Sequence, residues 1–222
     1  MIKRTIKITE DGSSTIELIG LDEHFHSTHG AIQESEHIYL QNGFMKLAKE
    51  NDKLNVLEMG FGSGLNAILT LLYASEKKVF VNYQGIEAFP IESDLVDQLN
   101  FPAQLQLNKL NKEFFNAMHS SSWSTKIKMG SFFCFEKINA KLEEIELAKD
   151  TFDLIYWDAF NPDLQPELWS EEIFRKMYLA MKDEGVLITY SAKGKVKRAL
   201  KAAGFTLYAL PGPPGKREIT QA

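Results

Sequence analysis

The 222 residues, 44% apolar and 25% charged, suffice for one ordinary globular core and exclude a disordered chain, a collagen-like fibre and a disulfide-stapled miniature. The longest apolar stretch, Leu65–Ala74, is broken by Asn66 and falls far short of the roughly 20 residues of a membrane span; the N-terminus lacks a signal peptide's apolar core, and Cys134 is alone, so a soluble, cytoplasmic protein with no disulfide and no cysteine-type zinc site is expected. The net charge of −5 is unevenly spread: from Ser191 onward seven basic residues oppose Glu218 alone, which suits an anionic ligand at one end, or else a basic helix face that simply stays hydrated.

In chain order, two alternating runs, Ile2–Thr9 and Ser14–Ile19, flank Glu10-Asp11-Gly12-Ser13 and predict a β-hairpin. A histidine-rich polar loop, Asp22 to Gly30, leads into Ser35–Glu50, where Ile38, Phe44, Leu47 and Ala48 have a loosely helical spacing. From Leu54 the pattern becomes short buried strand, turn and helix, repeated. Strands are predicted at Leu54–Met59, Val79–Ile86, Lys126–Met129, Phe152–Trp157, Val186–Tyr190 and Phe205–Leu210. Helices are predicted at Leu65–Ser75, Ile91–Asn100, Ala103–His119, Phe135–Ala148, Ser170–Lys182 and Lys195–Ala203. Such alternation implies an α/β fold, a mostly parallel sheet with helices on both faces. Residues 1–50 read as an N-terminal extension covering substrate and cofactor, and 51–222 as a Rossmann-like core, one domain overall.

Glu58-Met59-Gly60-Phe61-Gly62-Ser63-Gly64-Leu65-Asn66 runs from a strand through a glycine-rich turn into a helix. In open α/β sheets ligands bind beyond the carboxyl ends of strands, where glycines let backbone come close. Read from Gly62, with Ala67 as the third small residue and Glu87 as the ribose acid, the loop is a weak dinucleotide pattern. Read from Glu58 it is E-x-G-x-G-x-G, the form that holds the amino-acid half of S-adenosylmethionine. Glu58 favours the second reading. A pyrophosphate over the turn would repel a carboxylate, whereas an ammonium and a sulfonium welcome one. Glu87, 23 positions after Gly64 at the next strand end, is placed to accept hydrogen bonds from both ribose hydroxyls. The bland alternative is a tight turn and nothing more.

A further buried strand delivers Asp158 to the same sheet edge, followed by Ala159-Phe160-Asn161-Pro162. Methyl transfer is an in-line displacement governed by alignment. An amine nucleophile needs an acceptor that points its lone pair and stabilises the charge growing on nitrogen. Asp158 supplies that acceptor, and the turn at Asn161 and Pro162 can add a carbonyl; a helix-capping acid is the structural alternative. Phe160, Trp169 and Tyr190 offer flat surfaces for a base, or are core aromatics. The spacing of His24, His26 and His29 invites a metal reading, but no acid or cysteine completes a site, so no metal is expected.

These motifs, with Pro166-Glu167-Leu168-Trp169, Lys216-Arg217-Glu218, His37-Ile38-Tyr39-Leu40 and Thr189-Tyr190-Ser191-Ala192-Lys193-Gly194, resemble the methyltransferase domain of the tRNA 5-methylaminomethyl-2-thiouridine biosynthesis family, MnmC in its bifunctional form and MnmD when it stands alone. The resemblance covers nearly the whole chain. It implies a class I methyltransferase fold and methyl transfer from S-adenosylmethionine to the exocyclic amine of 5-aminomethyl-(2-thio)uridine at the tRNA wobble position. It places Glu58, Gly60, Phe61, Gly62, Gly64, Asn66, Glu87, Gly130, Ser131 and Asp158 at the cofactor, with Asp158 catalytic. It places Phe160, Asn161, Pro162, Trp169, Tyr190, Lys193, Lys197, Arg198, Lys216 and Arg217 at the tRNA. Ser131 stands where an acid is frequent, and Asn161 where a small residue is common. The partner implied is a tRNA anticodon loop prepared by upstream wobble-uridine modification enzymes, with no membrane. A single glycine loop leads us to expect a monofunctional chain without flavin.

The competing readings are a methyltransferase of a small amine or protein, an aminopropyl transferase using decarboxylated S-adenosylmethionine, and a non-catalytic RNA-binding module. Glu58 counts against the second. The intact set of Glu58, the three glycines and Glu87 counts against the third.

Overall fold

A computed structural model describes residues 3–222; Met1 and Ile2, the latter the start of the predicted first strand, lie outside the described residues. Arg4–Ile8 (β1) and Ser14–Leu18 (β2) pair antiparallel, Arg4 opposite Leu18 and Ile8 opposite Ser14. At the turn the Asp11 carboxylate accepts from the Ser13 N–H (2.9 Å) and the Thr9 hydroxyl (2.7 Å). Its other oxygen accepts from the Gln33 N–H (3.0 Å), so one acid fixes the hairpin and ties it to the helix that follows. A short strand not foreseen, Glu23–His24 (β3), extends this small sheet.

The predicted helix over Ser35–Glu50 begins earlier and is wider than an α-helix. Ala31–Ser35 (α1) passes into a π-helical run, Glu36–Phe44, and ends in Met45–Leu47 (α2). A π-helical segment shifts side chains relative to α spacing and is often found where a site needs one re-aimed. Here Ile38, Leu40 and Phe44 enter the core, while Tyr39 reaches across to the sheet edge.

The main sheet is built on Lys53–Met59 (β4), followed by Leu65–Lys77 (α3) and Phe80–Glu87 (β5). Next come Ser93–Val96 (α4), Phe101–Gln104 (α5), Lys109–Ser120 (α6), Ile127–Met129 (β6) and Phe133–Asn139 (β7). The chain ends with Phe152–Trp157 (β8), Glu171–Ala180 (α7), Met181–Thr189 (β9), Gly194–Ala203 (α8), Tyr208–Pro211 (β10) and Glu218–Gln221 (β11). The strand order is β10-β11-β9-β8-β4-β5-β7-β6. β7, β5, β4, β8 and β9 run parallel, and β6 and β11 are antiparallel to their neighbours. β4 is thus flanked by β5 on one side and β8 on the other, which makes its carboxyl end the topological switch point where α/β sheets bind ligands. One apolar cluster, with Ile68, Leu71, Tyr83, Phe115 and Phe135, packs under α3 and α6; a second, with Trp157, Phe174, Met177 and Leu200, packs under α7 and α8.

Several predicted elements differ. The helix expected over Phe135–Ala148 is instead β7, whose alternate residues Phe133, Phe135 and Lys137 are buried. Pairing with the length of β5 outweighs the helix-forming residues there. The expected strand Lys126–Met129 is a short antiparallel edge, β6. The last strand is shifted to Tyr208–Pro211, and β11, not foreseen, inserts between it and β9. The region predicted as helices Ile91–Asn100 and Ala103–His119 is broken into α4, α5 and α6, with Gln106 in a left-handed conformation (φ 48°) and Asn108 capping α6 through the Asn111 N–H.

Candidate functional site

The glycine loop leaves β4 and turns back under the end of β8. Gly60 has φ 91°, and a Cβ there would lie 2.5 Å from the Asp158 carbonyl oxygen, so the approach of the two strand ends requires glycine. The Gly60 and Phe61 N–H groups both donate to the Ile86 carbonyl (3.0 and 3.1 Å), and the Asp158 N–H donates to the Met59 carbonyl (3.0 Å). These bonds lock three consecutive strand ends together. Gly62 (φ 49°) lies against the Phe25 ring, 3.1 Å from where its Cβ would be. The N-terminal extension therefore lies directly over the loop, and His26 Nε2 meets the Ser63 hydroxyl at 2.8 Å.

The three acids expected at the strand ends, Glu58, Glu87 and Asp158, line one cavity of about 520 Å³. Glu58, 1% exposed, and Asp158 are joined by a single amide: Asn66 Nδ2 donates to Glu58 Oε1 and to Asp158 Oδ2, both at 2.9 Å. The Tyr39 hydroxyl donates to Asp158 Oδ1 at 2.7 Å. Glu58 Oε2 and Asn66 Oδ1 are buried and without hydrogen-bond partners, an arrangement that is costly unless a ligand completes it. Burial pushes Glu58 well above the usual carboxylate range; the nearby Tyr83 hydroxyl and the Asn66 amide offset this, and the Asp158 and Glu87 charges add to it. Tyr83 Oη faces this region without reaching a partner of proper geometry. Burial also raises Asp158, against the lowering effect of the His26 ring and the Tyr39 hydrogen bond. Glu87 accepts the Gly62 N–H at 2.9 Å on one oxygen and the Phe89 N–H at 2.8 Å on the other, with burial again raising its proton affinity.

Of the residues singled out in the sequence, the structure brings Glu58, Gly60, Phe61, Gly62, Asn66, Glu87, Asp158, Phe160, Tyr190 and Lys216 to the cavity wall. Gly64 instead caps α3. Trp169 is buried behind the wall; its indole N–H donates to the Phe160 carbonyl (2.8 Å) and its ring meets Tyr190 edge-on. Asn161 and Pro162 lie off the wall, with Asn161 Oδ1 accepting from Lys193 Nζ (2.8 Å) and Pro162 O from Lys195 Nζ (3.1 Å).

Gly130 and Ser131 require correction. They form the turn between β6 and β7, at the amino end of β7 and thus at the sheet edge opposite the glycine loop. The strand that precedes them, β6, runs antiparallel to β7, so its carboxyl end points away from the glycine loop. The carboxyl end of β7 leads instead to Lys141, Leu142 and Glu143, which do line the cavity.

The basic segment is largely paired. Lys193 and Lys195 both engage Asp163, Lys197 engages Glu218 (2.5 Å), and Lys216 engages Glu34 (2.9 Å). Arg198, Lys201 and Arg217 are exposed and form no ion pair among the described residues. The three loop histidines diverge: His24 meets Lys7 (3.2 Å), His26 Ser63 and His29 Glu10 (3.1 Å). Among the described residues no three histidines, cysteines or acids are grouped as for a metal ion. Sequence reasoning gave no site role to Tyr39, Glu34, Ser63 or Phe25. Tyr39 sits within a family-like motif, but only the π-helical turn reveals where it points.

The family model for S-adenosyl-L-methionine-dependent methyltransferases matches residues 104–222. Among curated relatives, the tRNA 5-methylaminomethyl-2-thiouridine biosynthesis bifunctional protein MnmC of Cupriavidus metallidurans is 28% identical over 90% of this chain and 31% of its own length. The MnmC of Campylobacter hominis is 27% identical over 85% of this chain and 28% of its own length. The chain thus spans about a third of the length of these relatives. Among solved structures, MNMC2 from Aquifex aeolicus superposes with a TM-score of 0.80 at 22% identity, covering 100% of this chain and 70% of that one. Spermidine synthase from Thermotoga maritima superposes with a TM-score of 0.57 at 16% identity, covering 100% of this chain and 68% of that one. With more than half of its residues matched by the model, the chain belongs to the S-adenosyl-L-methionine-dependent methyltransferase family.

Proposed function

We propose that this protein methylates the exocyclic amine of 5-aminomethyl-(2-thio)uridine at the tRNA wobble position. The observation that carries the reading is the Glu58–Asn66–Asp158 bridge, which holds a cofactor-type acid and an acceptor-type acid on one amide at the edge of one cavity. The similarity to the MnmC proteins supports the substrate class.

The residues present fit S-adenosylmethionine. Glu58 Oε2 and Asn66 Oδ1, buried and without partners, would take the ammonium of its methionine half, and Glu87 its ribose. When bound, this cofactor supplies an electrophilic methyl carbon on a sulfonium. Asp158 accepts a proton from the acceptor nitrogen, points the lone pair, and stabilises the positive charge that develops. Burial has raised its proton affinity, which suits it to that exchange. Tyr39 and Asn66 position its two oxygens. Phe25 and His26, from residues 1–50, cover the loop and exclude water. Decarboxylated S-adenosylmethionine, the aminopropyl donor, keeps the ammonium for which Glu58 is suited only at the transferred end, so the methyl donor fits better.

The substrate would be met in the cytoplasm, as an anticodon loop whose base is splayed from its stack. The purified chain, given S-adenosylmethionine and tRNA bearing the free 5-aminomethyl group, is expected to add one methyl group per wobble nucleoside by mass spectrometry. With tRNA bearing the carboxymethylaminomethyl group it is expected to add none, since these residues hold one cofactor-type loop. No gain on the first tRNA, with cofactor bound, would overturn the reading.

A further inference from the structure

The acceptor side of the cavity already holds an ammonium group. Lys216 Nζ lies 2.9 Å from Glu34 Oε1 and 4.3 Å from the centre of the Tyr190 ring. All three residues line the cavity with Asp158. Glu34 is 7% exposed. Its Oε2 accepts the Ser27 N–H at 2.7 Å, whereas its Oε1 is buried with no well-directed hydrogen-bond donor, despite the nearby lysine. A buried carboxylate oxygen in that state is costly and gains from a better-seated cation. Tyr190 is held from behind, its hydroxyl donating to the Ala159 carbonyl at 2.9 Å and its ring edge-on to Trp169.

A carboxylate and an aromatic face meeting at one point is the chemistry that selects an alkylammonium. The lysine is the movable member of the trio, a long side chain on the β10–β11 turn that keeps 31% of its side chain exposed. With its charge directed at Glu34, Lys216 is turned away from any phosphate outside the cavity.

We propose that Glu34 and Tyr190 form the binding subsite for the cationic amine of the acceptor, and that Lys216 competes for it and is displaced as the acceptor enters. This rests on the amine-acceptor reading above, and it makes Glu34 a substrate-binding residue with Asp158 remaining the proton acceptor.

Propylammonium tests the subsite without tRNA, with propanol as the uncharged control and the Ser27 amide resonance as reporter, in protein saturated with S-adenosylmethionine. Propylammonium should shift that resonance in the wild type and bind about tenfold more tightly in Lys216→Met, equivalent to about 1.4 kcal/mol. It should fail to bind in Glu34→Gln, and propanol should fail throughout. With the aminomethyl tRNA, Glu34→Gln should raise KM at least about tenfold, change kcat less, and leave cofactor affinity within a few-fold. Equal propylammonium binding by wild type and Glu34→Gln, or no gain in Lys216→Met, would overturn the proposal. Should Glu34→Gln not fold, Tyr190→Leu must weaken propylammonium binding for the subsite to stand. If the wild type binds propylammonium in this pattern yet leaves the tRNA unmethylated, the tRNA reading fails and the cation subsite survives.

Discussion

Asp158 and Glu58 are two carboxyl groups on neighbouring strands, β8 and β4, whose surroundings assign them different work. Asp158 is held on both oxygens, by Tyr39 and Asn66, so its orientation is set before any acceptor arrives. Asp158→Ala should therefore lower turnover by about 10² or more while cofactor affinity, measured by calorimetry, stays within a few-fold. Turnover within a factor of about three of wild type would remove Asp158 from the reaction. Glu58 has one oxygen without a partner in a dry setting, which destabilises the ionised protein in the absence of a cation. Because its folded pKa is raised above the ordinary 4.5, its contribution to stability is fully present below that value and is lost as pH rises through the folded pKa. Glu58→Gln should thus match wild type near pH 4.5 and melt about 2–4 °C higher at pH 8, equivalent to about 1 kcal/mol at this chain length. The same variant should bind S-adenosylmethionine more weakly by roughly 2 kcal/mol. A lower melting temperature at pH 8 would mean that Glu58 stabilises the fold instead of straining it.

At the scale of elements, what the sequence made legible follows a physical line. β4, β5 and β8 are apolar runs bounded by turn residues, and their ends deliver Glu58, Glu87 and Asp158 to one edge, as the spacing implied. β7 was illegible because Glu136, Lys137, Lys141, Glu143 and Glu144 read as helix formers, while the half-buried alternation that marks a strand depends on β5 beside it. Gly130 and Ser131 fall at the opposite sheet edge because β6, which leads into them, runs antiparallel, a direction that its short apolar run does not announce. β11 was hidden for a reason similar to that of β7: four residues, Glu218–Gln221, form a strand only because β9 and β10 stand on either side. Tyr39 escaped because it depends on a π-helical turn, which no residue spacing announces. The β4–α3 turn also yields a prediction. A methyl group on Gly60 would meet the Asp158 carbonyl at 2.5 Å in a left-handed backbone, and backbone cannot yield as a side chain would. Gly60→Ala should cost about 1–3 kcal/mol, seen as a calorimetric melting temperature lower by several degrees, and should weaken the cofactor as well. An unchanged melting temperature would show that the strand ends are free to part.

For the whole molecule, charge separates by depth as much as by position. The acids Glu58, Glu87, Asp158, Glu34 and Glu23 surround the cavity, while the basic C-terminal segment lies on α8 and the β10–β11 hairpin. Much of that positive charge is already neutralised. Lys193 and Lys195 hold the Asp163 carboxyl down at about 2 by hydrogen bonding to it, and Lys197 is tied to Glu218, joining the elements that carry Arg198 and Arg217. Only exposed cations without partners release counterions in full when they meet phosphate. The RNA-facing role proposed for the segment therefore narrows to Arg198, Lys201 and Arg217, the cations that are exposed and form no ion pair among the described residues; the two arginines also present five donors each in a geometry matched to phosphate. Arg198→Ala with Arg217→Ala should flatten the dependence of log K on log salt by about 1.4, at about 0.7 per single-strand phosphate contact. Lys193→Ala with Lys195→Ala removes the same formal charge but also frees Asp163, and should change the slope by less than half as much. Filter binding of tRNA across a salt series measures both. If the lysine pair flattens the slope as much as the arginine pair, the ion pairs to Asp163 open on contact with RNA and the narrowing to the unpaired cations fails.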